Sequence, residues 1–148
     1  MRLMDILTNF SDFNEWKLKN KNFTVFDYLA IKTTPLQLYL AGKLFFPGLI
    51  VDGKFVFIKD SPQYEFLDDC KKSKMSANDI EKYINNVMLE CLFPKCNEYT
   101  DEFFGELAET LKNSWKLHFQ SVYPDIKMVV EKYEDEFDGW CVTCYQSR

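Results

Sequence analysis

The residues whose types could do chemistry are few. Five cysteines stand at Cys70, Cys91, Cys96, Cys141 and Cys144. The tightest pair is Cys141-Val-Thr-Cys144. A redox Cys-x-x-Cys needs its first thiol at a helix N-terminus, where the dipole holds the thiolate. This pair falls in a segment with a strand's period, where positions i and i+3 point to opposite faces, so the spacing argues against a dithiol couple. Cys91, Cys96, Cys141 and Cys144 would supply the four thiolates that tetrahedral zinc takes. Yet Cys91 lies on the apolar stripe of a helix and reads as a packing residue. We therefore expect no metal and no cofactor. An odd cysteine count, beside an N-terminal segment with an acid at Asp5 and no long apolar stretch, favours reduced thiols in a cytoplasm.

His118 is the sole histidine, so Ser/His/Asp and Cys/His machinery would both depend on it. It falls between Trp115 and Phe119 on a helical stripe and reads as a hydrogen-bonded histidine at a core edge. G-x-S-x-G, G-x-x-x-x-G-K-[ST], H-E-x-x-H and G-x-G-x-x-G are all missing, which removes the commonest hydrolase, phosphate-loop and dinucleotide readings. Glu102, Glu106 and Glu109 share one side of a helix, and the spacing reads as a solvated face rather than paired catalytic acids. No residue is assigned a catalytic role.

The densest chemical feature is a run of acids. Glu131, Glu134, Asp135, Glu136 and Asp138 are interrupted by Tyr133 and Phe137 and followed by Trp140. Carboxylates ringing aromatic side chains have the composition of a docking surface for a basic protein, because charge steers the encounter and aromatic anchors supply the binding energy. These eight residues form the candidate partner-binding site. The same run also suits a solvated hairpin loop whose charge discourages edge pairing.

Charge supports the same direction. Eighteen Lys and Arg against 23 Asp and Glu give a net of −5. Residues 1–74 hold 11 bases and 9 acids, a net of +2, and residues 75–148 hold 7 and 14, a net of −7. An acidic face repels phosphate backbones and anionic bilayers, so neither nucleic acid nor membrane is expected as a partner.

The elements that must position these residues follow from periodicity. At 148 residues, 47% hydrophobic and 28% charged, the chain has the size and composition of one globular domain. Leu3, Ile6, Leu7 and Phe10 suggest a short helix ended near Ser11, and Phe13–Phe23 shows no clear period. Thr24 with Asp27 has capping-box spacing for a helix over Val25–Ile31. Thr34-Pro35 opens another that runs to about Phe46. Asp52-Gly53, between two apolar runs, predicts a hairpin over 48–59 with a type I′ turn, pairing Val51 with Lys54 and Leu49 with Val56, both faces covered. Ser76 and Asp79 open an amphipathic helix along Ile80, Tyr83, Ile84, Val87, Cys91 and Leu92, ending before Pro94. Thr100 caps the longest helix, with stripe Phe104, Leu107, Ala108, Leu111, Trp115, His118, Phe119 and Val122. Ile126–Tyr133 and Trp140–Gln146 form a second hairpin across Glu134–Gly139. The expectation is a single α+β domain: 1–46 mainly helical, two helices over 76–122, and both hairpins merged in one antiparallel sheet packed with four or five helices.

Of the 25 aromatic residues, many fall outside the stripes, among them Phe10, Phe13, Trp16, Phe23, Phe26, Tyr28, Tyr64, Phe66 and Tyr99, and suggest a pocket or interface. The sequence thus reads as an acidic cytosolic protein-binding module. A small anionic domain without catalytic residues looks like the bacterial immunity proteins and antitoxins that block a basic toxin such as a nuclease, a likeness of type that implies binding rather than catalysis. The competing reading is a small-ligand-binding or enzymatic domain whose aromatic pocket uses His118 and a thiol.

Overall fold

The computed structural model describes residues 10–93 and 98–148. The short helix expected from Leu3 lies outside them, as does Cys96. Two compact units result, one ending at Gly42 and the other comprising Lys43–Arg148. The class is α+β, with seven α-helices and two small antiparallel sheets among the described residues.

The first unit is helical. Helix α1 (Ser11–Lys19) occupies the stretch that showed no period. Its register is set by aromatic rings: Trp16 meets the edge of Tyr28 at 5.1 Å, and Phe13 meets the same ring at 5.2 Å. Helix α2 (Val25–Lys32) begins with the expected capping box, the Thr24 amide donating to Asp27 Oδ2 at 2.6 Å. Thr34 and Gln37 form the same reciprocal pair at the start of α3 (Pro35–Phe45).

The second unit starts with the last turn of α3. Strands β1 (Leu49–Asp52) and β2 (Phe55–Ile58) form the first hairpin. Its register differs from expectation: Val51 pairs with Val56 and Asp52 with Phe55, so Gly53 and Lys54 make the two-residue loop. Only Gly53 has positive φ, at 60°, the signature of a type II′ turn, which asks for left-handed backbone at one residue rather than two. Nor are both strands covered. β2 buries Val56, Phe57 and Ile58, whereas Val51 of β1 faces solvent.

Helix α4 (Leu67–Lys72) follows a 3₁₀ turn at Tyr64–Phe66. Helix α5 (Ala77–Ile84) opens where expected, Ser76 Oγ accepting from the Asp79 amide at 3.2 Å. It does not run on to Leu92. The chain breaks at Asn85, gives two residues to strand β3 (Val87–Met88), and resumes as α6 (Leu89–Leu92). The physical reason is pairing: β3 joins the edge of strand β5 (Gly139–Gln146), Val87 opposite Val142, and ladder bonds outweigh helical continuity. Helix α7 (Asp101–Val122) buries Phe104, Ala108, Leu111, Trp115 and Phe119, while Val122 at its end is exposed. Strands β4 (Met128–Asp135) and β5 (Gly139–Gln146) pair along their whole length.

The hairpins stay in separate sheets, β1-β2 and β3-β5-β4. Successive side chains of β2 point to opposite faces, so Ile58 enters the cluster around Trp115, Phe119 and Val142, and Phe57 enters a second one with Leu67, Ile80 and Ile84. Side chains bridge the sheets. Asn85 Oδ1 accepts from the Ile58 amide at 2.7 Å, and its Nδ2 donates to the carbonyls of Val56 and Cys144, each at 3.0 Å. Glu81, 0% exposed, accepts from the amides of Val56 and Gln146 and pairs with Arg148 at 2.7 Å. No helix among the described residues is long and apolar enough to cross a membrane.

Candidate functional site

The β4–β5 hairpin places the eight acidic and aromatic candidates, and it divides them. Asp135 ties the turn: its Oδ1 accepts from the amides of Phe137 at 2.8 Å and Asp138 at 3.0 Å. Those bonds hold its carboxyl below the usual carboxylate range. Gly139 closes the loop at φ 67°, with the Glu90 carboxylate lying where a Cβ would go. The tip is therefore a built turn, and Phe137 projects from it 90% exposed. Glu134 and Glu136 face solvent beside it, and Asp138 is half-buried.

The other three candidates are engaged within the chain. Glu131 accepts from the Tyr145 hydroxyl at 2.6 Å and pairs with Lys82 at 3.4 Å. Trp140 donates from Nε1 to Asp101 at 2.9 Å, packs on Gly105, and lies under the Lys132 ammonium at 5.0 Å. The Tyr133 hydroxyl donates to Asn86 Oδ1 at 3.0 Å, and burial pushes its pKa up to about 12. The run that looked uniform in sequence is thus an outward tip, Glu134–Asp138, on a base locked by hydrogen bonds.

Glu102, Glu106 and Glu109 also separate. Glu109 is no wet carboxylate: it pairs with Lys112 at 2.7 Å and with Lys132 of β4 at 3.0 Å. Hydrogen bonds from those two ammoniums bring its pKa down to about 2.

Among the described residues, no hydrogen bond joins His118 to a thiol. Cys144 is wholly buried, and desolvation raises its pKa well above the ordinary thiol value. Burial raises Cys70 and Cys141 as well, the reverse of what a nucleophile needs. Cys91, expected on a buried stripe, is exposed on α6, because the break at Asn85 turns that face outward. His118 Nε2 lies 3.1 Å from the Pro47 carbonyl oxygen, which assigns a ring proton to Nε2, and the imidazole packs among the rings of Phe46, Phe119 and Tyr123. No group of three His, Cys, Asp or Glu side chains among the described residues converges as a metal site requires.

One feature had no signal in the sequence. A cavity of about 490 Å³ opens in the second unit at the open end of the β1–β2 hairpin, with Trp115 in its wall and Lys59 and Tyr123 at its margin. Its residues come from six separate stretches of chain, and no spacing connects them.

Comparison with protein families, curated proteins and solved structures finds no match to the chain. What the structure defines is the α+β class of the fold.

Proposed function

We propose that this chain is a protein-binding module that docks a basic partner on the β4–β5 tip, in the manner of an immunity protein or antitoxin that blocks a basic toxin such as a nuclease. The observation that supports this reading is Phe137: a phenyl ring 90% exposed on a hydrogen-bonded turn, flanked by Glu134 and Glu136. Exposing such a ring forfeits about 2 kcal/mol of burial, and a partner's pocket recovers it. The carboxylates supply steering toward a cationic surface.

The test uses the intact chain as bait in extract of its native cell, beside Phe137→Ala. A basic protein retained by the wild type and dissociating at least about tenfold faster from Phe137→Ala is the expected result, since a buried aromatic anchor acts mainly on the off-rate. Equal dissociation from both would remove Phe137 from the interface.

A further inference from the structure

The cavity beside Lys59 differs in character from the acidic tip. Its floor is apolar, formed by Leu44, Leu49, Ile58, Val87 and Trp115. The polar groups around that floor are mostly satisfied within the fold. Trp115 Nε1 donates to the Leu44 carbonyl at 2.8 Å. Asn85 spends its amide on three backbone groups, and the Ser61 hydroxyl donates to the Ile84 carbonyl. Two groups at the margin are different. The Tyr123 hydroxyl accepts from the Leu49 amide at 3.2 Å, which leaves its own proton without an acceptor among the described residues. Lys59 makes no ion pair among them either.

The backbone at Gly48 sets the Lys59 stem and the Tyr123 hydroxyl on one side of the cavity mouth. The Lys59 amide donates to the Gly48 carbonyl at 2.8 Å, and a Cβ at Gly48 would stand 3.7 Å from Lys59 Cβ and 3.8 Å from Tyr123 Oη. The next residue, Asp60, adopts φ 65°, left-handed backbone that aspartate takes more readily than most residues and that turns the chain away from β2. By formal charge alone, Lys43, Lys59 and Asp60 sum to one positive charge at the rim. In a chain of net −5 this is a local reversal of sign. One net charge suits a monoanion and does not suit a polyphosphate.

We propose that this cavity binds a small amphipathic monocarboxylate. The apolar body lies on the Leu44–Trp115 floor, and the carboxylate accepts from the Lys59 ammonium and the Tyr123 hydroxyl. The volume is within the range of small-molecule sites, and an apolar floor with few convergent donors is their usual chemistry. Charge-assisted bonds at the margin fix the head group.

Calorimetric titration of the intact chain with octanoate, octanol and inorganic phosphate tests this. Octanoate is expected to bind one to one, octanol at least about tenfold more weakly, and phosphate not at all. Lys59→Met, which keeps the stem and removes the charge, should weaken octanoate about tenfold and leave octanol unchanged. Leu92→Trp, placing a ring in the cavity from an exposed position on α6, should abolish binding of both. Both positions are exposed, and melting curves matching wild type verify the fold, with Lys59→Gln as the substitute if Lys59→Met aggregates. Octanoate that does not bind, that binds no better than octanol, or that ignores both substitutions overturns the proposal. So does phosphate binding as tightly as octanoate.

Discussion

Glu109 shows how far a single carboxylate departs from its sequence appearance. Its pKa of about 2 lies below the ordinary value of 4.5, so its ion pairs stabilise the fold fully above pH 4.5, and that contribution is lost as pH falls toward 2. Its side chain is 35% exposed, which limits the effect to about 1 kcal/mol at neutral pH. Glu109→Gln should therefore destabilise by about that amount in urea denaturation at pH 7 and by almost nothing near pH 2. A difference that stays constant across that range would mean that the ion pairs contribute nothing. The cysteines give a second residue-scale prediction. Iodoacetamide followed by mass mapping should label Cys91 in the native protein and reach Cys144 only after denaturation, because the buried thiol is both inaccessible and protonated. Native labelling of Cys144 would contradict its burial. Neither result was legible in the sequence, since Glu109 finds Lys132 only through the contact of α7 with β4, and Cys91 turns outward only because α5 stops at Asn85.

At the scale of elements, local signals survived and long-range ones did not. The Thr24, Ser76 and Thr100 starts are legible because a cap and its hydrogen-bond partner lie within one turn. The hairpin at Asp52-Gly53 is legible as a hairpin, but not in its register, which depends on Phe57 entering one core and Ile58 another. Gly53→Val isolates the turn: nothing lies within 4 Å of a Cβ there, so the loss of about 1–3 kcal/mol comes from the left-handed backbone alone. A thermal melt unchanged by Gly53→Val would contradict the turn. The break at Asn85 is illegible because Val87, Cys91 and Leu92 continue the helical period by chance of spacing, while the preference that wins is β-pairing with β5. No spacing in the sequence marks Glu81. Buried, it joins both sheets and Arg148, so Glu81→Ala should cost about 3–5 kcal/mol, because it strands the donors it now receives. Chemical denaturation measures this, and a loss under about 1 kcal/mol would mean that the bridge is dispensable.

Across the whole molecule, the acids that the sequence grouped together serve two ends. Glu131 and Asp135 are engaged by hydrogen bonds within the fold, whereas Glu134, Glu136 and Phe137 face solvent. The candidate site was legible as composition, since five carboxylates with aromatic neighbours stand out in any reading. The division within it was not, because Tyr145, Lys82 and Asp101 reach those side chains only in the folded chain. The cavity at Lys59 was wholly illegible for the same reason. The most direct measurement of the central claim is the association rate of the captured basic partner with the wild type and with the double variant Glu134→Lys, Glu136→Lys, at low and high ionic strength. Both side chains are exposed, so the fold should shift by no more than about 0.5 kcal/mol. The account predicts association about tenfold slower for the variant in about 0.05 M salt, and a difference that nearly vanishes in about 0.5 M, where charges beyond a few ångströms are screened. Equal association rates at both ionic strengths would contradict docking through the acidic tip.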